Sequence, residues 1–388
     1  MKKWDPVENT TGAHSRTSKK VLALSVRGLE AITRESVLYR RMGEPLKVIE
    51  ANEIWFSRGA KMFTNQHKPP IKQRLSQVSL GYPTQHENLV MFPFVGSRAR
   101  ALEYKLLDEA LANGWIRITE VSESGSVPNL KVKNKSKYSV LLVDGEELVG
   151  AKQNRILNLS VMVPPYESTV IPVSCVEAGR WRNLSRKFSS ARRAHYAEGR
   201  AAKARHVSES LHRSGSRYSN QAEVWDHISE KMRRMRAHSS SNASAAMYEE
   251  HYRSLDDYEK AFSVVEDQAG AVFAINGKVA GMDLFEDAAA FKQFLPKLIQ
   301  SYALDALEVL PSFVRGKPSV REIKLFADEV SVAEVEAFPA VGLGDDFRLR
   351  GKKISGGALI VNEQVVHLCA FRLKEMRGTG TRGRYAAA

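Results

Sequence analysis

The chain has 388 residues, 43% hydrophobic and 26% charged, enough apolar material for a large buried core, which excludes wholesale disorder. It carries 58 Lys and Arg against 44 Asp and Glu, a formal charge of +14. Two distant cysteines, Cys175 and Cys369, exclude a disulfide scaffold and a four-cysteine zinc site.

A reducing, cytoplasmic setting fits these cysteines. Asp5 and Glu8 stand where a secretory leader needs its apolar core, and no run approaches about 18 apolar residues, so neither export nor membrane spanning is expected. The positive charge is unevenly spread. Residues 1–80 hold 15 basic and 7 acidic side chains, residues 182–253 hold the same numbers, and the remainder is slightly acidic. Both basic segments lack continuous apolar pattern, and the second contains the serine- and alanine-rich run at 239–246. They read as solvated segments. The alternative is nucleic-acid contact by Arg192, Arg193, Arg200, Lys203 and Arg205, although no zinc-finger spacing or aromatic RNA-binding signature accompanies them.

In chain order, residues 89–95 form an apolar run that reads as a strand, an edge strand because Pro93 lacks a ladder donor. Ser97 caps an expected helix through Leu102, Leu106 and Ala110 that stops at Asn113-Gly114. Trp115 to Val121 alternates as a strand. A strand at 138–143 ends in the turn pair Asp144-Gly145 and returns through Leu148 and Val149. Leu157 to Val163 alternates before Pro164-Pro165, and Thr169 to Glu177 opens another strand, with Ile171, Val173, Cys175 and Glu177 on one side.

Val224, Ile228, Met232 and Met235 have helical spacing, as do Tyr248, Tyr252, Leu255 and Phe262. Asn276-Gly277 marks a hairpin, 286–310 a helix kinked by Pro296, and 356–373 a second hairpin. Hairpins without regular strand–helix–strand repeats predict an α+β fold, mainly antiparallel, with flanking and inserted helices. The organisation expected is a basic N-terminal extension over 1–85, a main domain over 86–373 with a basic insertion at about 182–247, and a flexible tail over 374–388.

Residues 144–181 concentrate polar side chains among strand formers: Glu146, Glu147, Gln153, Asn154, Arg155, Asn158, Cys175, Glu177 and Arg180. If the two strands pair, these groups can share one cleft. Glu147 and Glu177 are candidate acid and base, or ion-pair partners of Arg155 and Arg180. Gln153, Asn154 and Asn158 can bind a ribose, base or pyrophosphate, or satisfy irregular backbone. Arg180 can hold a phosphate with Trp181 stacking on a base; alternatively Trp181 is core and Arg180 pairs with Glu177. Cys175 is a candidate nucleophile, set against the ordinary packing of a strand cysteine. No metal site is expected: His195, His206 and His212 have no fixed carboxylate or cysteine partner, and His367 reads as a core histidine. A dinucleotide fingerprint is absent, since 150–155 lacks its glycine spacing.

The stretches DGEELVGAKQNRILN at 144–158, IPVSCVEAGRW at 171–181, QAEVWDHISE at 221–230, AINGKVAGMDLF at 274–285 and VVHLCAF at 365–371 resemble a prokaryotic family, the ADP-ribosylglycohydrolase and rhodanese-phosphatase superfamily-associated protein domain. The resemblance runs from about Phe92 to Phe371. It implies, through the company recorded in the family name, a role near ADP-ribose and phosphate chemistry. Carried over residue by residue, it marks Glu146, Glu147, Gln153, Asn154, Arg155, Asn158, Cys175, Glu177, Arg180 and Trp181. An ADP-ribose- or NAD-derived ligand, bound and processed or bound by a non-catalytic sensor or adaptor module, is the expectation; a cofactor is not specified.

Overall fold

The computed structural model describes residues 70–96, 103–122, 126–182, 184–309 and 316–373, together with four short strands before them. Contacts divide the chain into two units. In residues 1–52 the strands Ser36–Tyr39 and Lys47–Glu50 pair antiparallel. All other described elements belong to the unit that starts at Glu53. The Ser97 cap and the tail at 374–388 lie outside the described residues. No described helix is long and apolar enough to cross a membrane.

The second unit is α+β and largely antiparallel, as the hairpin pattern predicts. Its large sheet has eleven strands, and its centre is built from the two sequence-legible hairpins. Gln268–Ile275 turns into Lys278–Phe285 through Asn276-Gly277, both at positive φ, and Ile354–Val361 turns into Gln364–Arg372 through Asn362-Glu363. Period-2 alternation gives this sheet two apolar faces. Val90, Phe92, Val272 and Leu284 pack on Ile71 and on Ile323, Phe326 and Val330 of the Val320–Ser331 helix. Met91, Ala271 and Phe273 pack on the long Ala288–Val309 helix, which contains Pro296. Leu89–Val95 is not an edge strand: Gln268–Ile275 pairs on one side, and the short strands Ser79–Leu80 and Thr84–His86 on the other. Proline is tolerated because those two short strands leave a gap opposite Pro93, where only its carbonyl accepts, from Gly81.

Six further strands close into a barrel in the order Asn129–Asn134, Ser168–Cys175, Arg155–Leu157, Glu146–Gly150, Phe188–Ala194, Ile116–Glu120. Ile118, Leu130, Val132, Leu148, Leu157, Ile171, Val173 and Phe188 belong to the apolar cluster of the barrel region. The Asp144-Gly145 turn does not make a simple hairpin. Ser139–Leu142 before it joins a small sheet with Val161–Val163 and Tyr104–Leu106, whereas Glu146–Gly150 after it enters the barrel. The helix expected from Ser97 is restricted to Leu107–Ala112 because Tyr104–Leu106 is extended.

The basic connection is solvated only in part: most of its cations are exposed, but it folds into helices and buries Arg200, Lys203 and Lys231. Ala197–Ser214 is a helix whose Arg200 and Lys203 are 0% and 1% exposed. Arg200 forks onto Asp283 at 2.6 and 3.3 Å and reaches Asp144 at 3.2 Å; Lys203 lies 2.7 Å from Asp144 and donates to the Leu157 carbonyl. Asp283 also accepts from Tyr302 at 3.0 Å, and His367, beside it, bonds Ser160 at 2.8 Å. This network ties the barrel turn, the helix and the large sheet together. Gly145 is obligatory: its φ is +82° and an added Cβ would lie 2.9 Å from the Arg200 side chain. Nucleic-acid contact by Arg200 and Lys203 is therefore overturned, because a cation enclosed by buried carboxylates has no face left for a phosphate. Arg193 is engaged by Glu147, while Arg192 is exposed.

Arg200→Ala leaves Asp283 and Asp144 with uncompensated buried charge and is expected to cost about 3–5 kcal/mol in urea unfolding. Burial works to raise the carboxyls of Asp144 and Asp283, but Lys203 and Arg200 for the first and Arg200 and His367 for the second hold both below the usual range. Their contribution is complete above the unfolded value of about 3.9 and is lost as pH falls below it toward the folded values. Stability should therefore drop steeply below about pH 4, with a flatter acid limb in Asp283→Asn.

Candidate functional site at the barrel mouth

Side chains on a barrel strand alternate between interior and exterior, so Glu120 follows Ile116 and Ile118 inward, Cys175 follows Ile171 and Val173, and Arg155 shares the side of Leu157. The register sets Arg155 opposite Cys175 on one neighbour and opposite Leu148 on the other. The last inward positions at one end of the barrel are thus Glu120, Arg155 and Cys175, and the Glu120 charge acts on Arg155. Apolar lower rungs and a charged last rung make this end a polar mouth.

A shell of hydrogen bonds holds the rim. Glu177 lies 2.6 Å from Arg180, its carboxylate accepts from the Asn154 amide N–H at 3.2 Å, and its carbonyl accepts from Gln153 at 2.8 Å. Arg180 also donates to Asn154 Oδ1 at 3.0 Å and to the Ala151 carbonyl at 2.8 Å. Gln153 accepts from Arg155 Nη1 at 3.0 Å. The serine-rich run, expected to be solvated, is packed here: Ser241 donates to Glu177 at 2.8 Å, and Ser244 is fully buried. Gln221 and the Cys175 backbone exchange two bonds of 2.8 Å, fixing the Gln221–Met235 helix against the cysteine. Gly150 permits the rim turn at φ +133°, where a Cβ would strike the Lys187 carbonyl at 2.6 Å.

Within this shell several buried polar atoms have no hydrogen-bond partner among the described residues: Nε and Nη2 of Arg155, Nε of Arg180 and both carboxylate oxygens of Glu120. Arg155 itself is 0% exposed. Trp181 is half-exposed, with Arg155 6.0 Å and Lys152 5.2 Å from its ring centroid, so it stands between the guanidinium and solvent. Burial lowers the Arg155 pKa, opposed by Cys175 and Glu120, yet a guanidinium remains charged at neutral pH. Burial raises the Cys175 thiol more than Arg155 lowers it, so the group stays a thiol; its Sγ donates to the Glu177 carbonyl at 3.3 Å. Burial also works to raise Glu177, but hydrogen bonds from Arg180, Ser241 and Asn154 outweigh it and keep the group a carboxylate.

Gln153, Asn154, Arg155, Cys175, Glu177, Arg180 and Trp181 are brought together; Glu147, Glu146 and Asn158 are not part of that cluster. Glu147, 0% exposed, receives a two-point contact from Arg193 at 2.7 and 3.0 Å. Glu146 accepts from Lys297 at 2.6 Å and from the Val143 amide at 2.7 Å. Asn158 accepts from Ser174 at 2.6 Å and donates to the Arg217 carbonyl. Sequence reasoning missed Glu120, Gln221, Trp225 and Ser241. A polar residue at an inward strand position was the available signal for Glu120; Gln221 and Trp225 lie in the QAEVWDHISE stretch that carries the family resemblance, and Ser241 in the serine-rich run that follows it.

Of the three histidines expected to have no carboxylate partner, His206 meets Glu223 at 2.7 Å and His212 meets Glu336 at 3.0 Å, while His195 and His206 line a cavity of about 10 Å³, room for about one water. Among the described residues, Glu198, Asp305 and Glu308 have spacing suited to a metal, but Lys231 lies 2.7 Å from Asp305, and Lys231 and Arg234 both bind Glu308.

No curated protein and no solved structure matches the chain. A family model does, over residues 77–371, a span that contains the large sheet's centre, the whole barrel and both segments of its mouth. The chain belongs to the family described as the ARG and Rhodanese-Phosphatase-superfamily-associated Protein domain.

Proposed function

We propose that the barrel mouth binds an ADP-ribose- or NAD-derived nucleotide. The observation that carries this reading is the fully buried Arg155 guanidinium with two nitrogens lacking acceptors among the described residues. A buried charged donor left unsatisfied costs on the order of 1–3 kcal/mol or more, and a phosphate presents acceptors in a geometry that matches the guanidinium fork. In this reading Arg155 and the Nε of Arg180 take phosphate oxygens, Trp181 moves off the mouth and stacks on the base, and Gln153 and Asn154 hold the rim against the ribose. Asn158, bonded to Ser174 and Arg217, is assigned no direct contact. The family's association by name with ARG and rhodanese-phosphatase proteins supports a phosphate-bearing ligand.

Processing of that ligand is the further step. Glu177, as a carboxylate, suits a base or an electrostatic stabiliser and not a general acid. Glu147, held by Arg193, would have to exchange that partner to act. The non-catalytic reading, a sensor or adaptor with the same mouth, is favoured by Cys175 being a thiol and by Glu177 being committed to three hydrogen bonds.

Calorimetric titration of the full chain with ADP-ribose, NAD, AMP and pyrophosphate tests the reading. Binding of the pyrophosphate-bearing compounds is expected, with Arg155→Lys weakening it by about tenfold or more because a point charge replaces a two-point fork. No binding across the panel contradicts it. Turnover of a bound nucleotide that vanishes in Glu177→Gln would support an enzyme; binding without turnover supports the sensor. Iodoacetamide at neutral pH should leave Cys175 and Cys369 unmodified in the native protein, since burial pushes the Cys369 thiol up to about 12 and raises Cys175. Rapid alkylation of Cys175 would instead point to a nucleophile.

A further inference from the structure

The outer wall of the barrel carries a row of cations that the mouth does not use. The strand Asn129–Asn134 and the residues after it read NLKVKNKSKY, with lysine at every second position from 131 to 137. Alternation sends Leu130 and Val132 inward and leaves Lys131, Lys133, Lys135 and Lys137 exposed. On the neighbouring strand the exposed Arg117 lies directly opposite Lys133, and the Lys135 amide donates to the Trp115 carbonyl, extending the ladder by one residue pair. Like charges placed opposite one another destabilise a sheet. No ion pair relieves Arg117, Lys131, Lys133 or Lys135 among the described residues, whereas nearby Lys105 pairs with Glu109.

Aromatic rings are interleaved with this row. Trp115 and Tyr138 lie with centroids 5.3 Å apart, Lys105 sits over both rings, and Lys137 sits over Tyr138. Tyr166, 70% exposed, donates its amide to the Ser136 carbonyl and so stands beside Lys135 and Lys137. Same-face residues on a strand repeat about every 7 Å, a spacing that lets an extended chain of phosphates run along the lysines while bases reach the rings. A duplex groove needs an inserted helix or ribbon, and this wall is a closed ladder on the outside of a barrel.

We propose that this wall binds single-stranded nucleic acid, with Arg117, Lys131, Lys133, Lys135 and Lys137 on the phosphates and Tyr166 with the Trp115–Tyr138 pair as stacking platforms. The site is separate from the nucleotide reading of the mouth and stands or falls independently of it. It also differs from nucleic-acid contact through the helix, where Arg200 and Lys203 are enclosed.

The test is fluorescence anisotropy of the full chain with a fluorescein-labelled oligo(dT) of about 20 nucleotides over a salt series. Five phosphate contacts give a log–log salt slope of about −3.5, so a fourfold rise in salt weakens binding about 100-fold. Lys131→Glu with Lys133→Glu, both exposed, should lower affinity at least about tenfold at low salt and make the slope shallower by about 1.4. Tyr166→Ala should weaken binding several-fold with the slope unchanged, because stacking releases no counterions. Circular dichroism confirms that the variants are folded. Absence of oligonucleotide binding by the wild type, unaltered binding by the double variant, or binding of phosphatidylserine vesicles without the oligonucleotide would overturn the proposal.

Discussion

A guanidinium taken out of water has to find carboxylates or carbonyls, and the protein buries two that meet this requirement differently. Arg200 has all three of its nitrogens engaged by Asp144 and Asp283. Arg155, equally buried, has one nitrogen bonded and two without a partner among the described residues. The first arrangement binds barrel, helix and large sheet into one structure, because removing any member strands a charge in a low-dielectric interior. The second leaves donors of Arg155 and the acceptors of the neighbouring Glu120 without hydrogen-bond partners among the described residues, the pattern expected where stability is traded for ligand binding.

The mouth also explains why its residues come from separated parts of the chain. A barrel brings strand ends together in a ring, so Glu120, Arg155 and Cys175 become neighbours although 55 positions separate the outer two. The rim is then braced from outside by Gln221 and Ser241, which belong to the basic connection. That connection is thus both a structural plug and a support for the site. Its cations are turned to different uses: Arg200 and Lys203 serve the core, Arg193 neutralises Glu147, and Lys231 neutralises Asp305.

The α+β class, the two large-sheet hairpins and the pairing of the two polar strands were legible because alternation and Asn-Gly turns are local signals. The gathering of Gln153, Asn154, Arg155, Cys175, Glu177, Arg180 and Trp181 was legible in outline, as two polar segments flanking strands that pair. The barrel was not: its closure rests on Phe188 meeting Ile118, a contact between residues 70 apart with no mark in either segment. Nor was the burial of Arg200 and Lys203, since an alanine-rich helix with charges three apart has the same composition whether it faces water or two carboxylates. Charge alone cannot tell these apart; only partners at a distance do. The Pro93 strand failed as an edge for a related reason, because a break in the neighbouring strand is invisible at the proline itself.

In the proposed complex the Arg155 nitrogens without partners among the described residues receive a ligand anion. Arginine side-chain Nε–H resonances of labelled protein, with Arg155 assigned through Arg155→Lys, follow those nitrogens directly. On adding ADP-ribose the Arg155 signal should shift and its hydrogen should become protected from solvent exchange. A signal that stays where it was while resonances elsewhere respond would contradict the account.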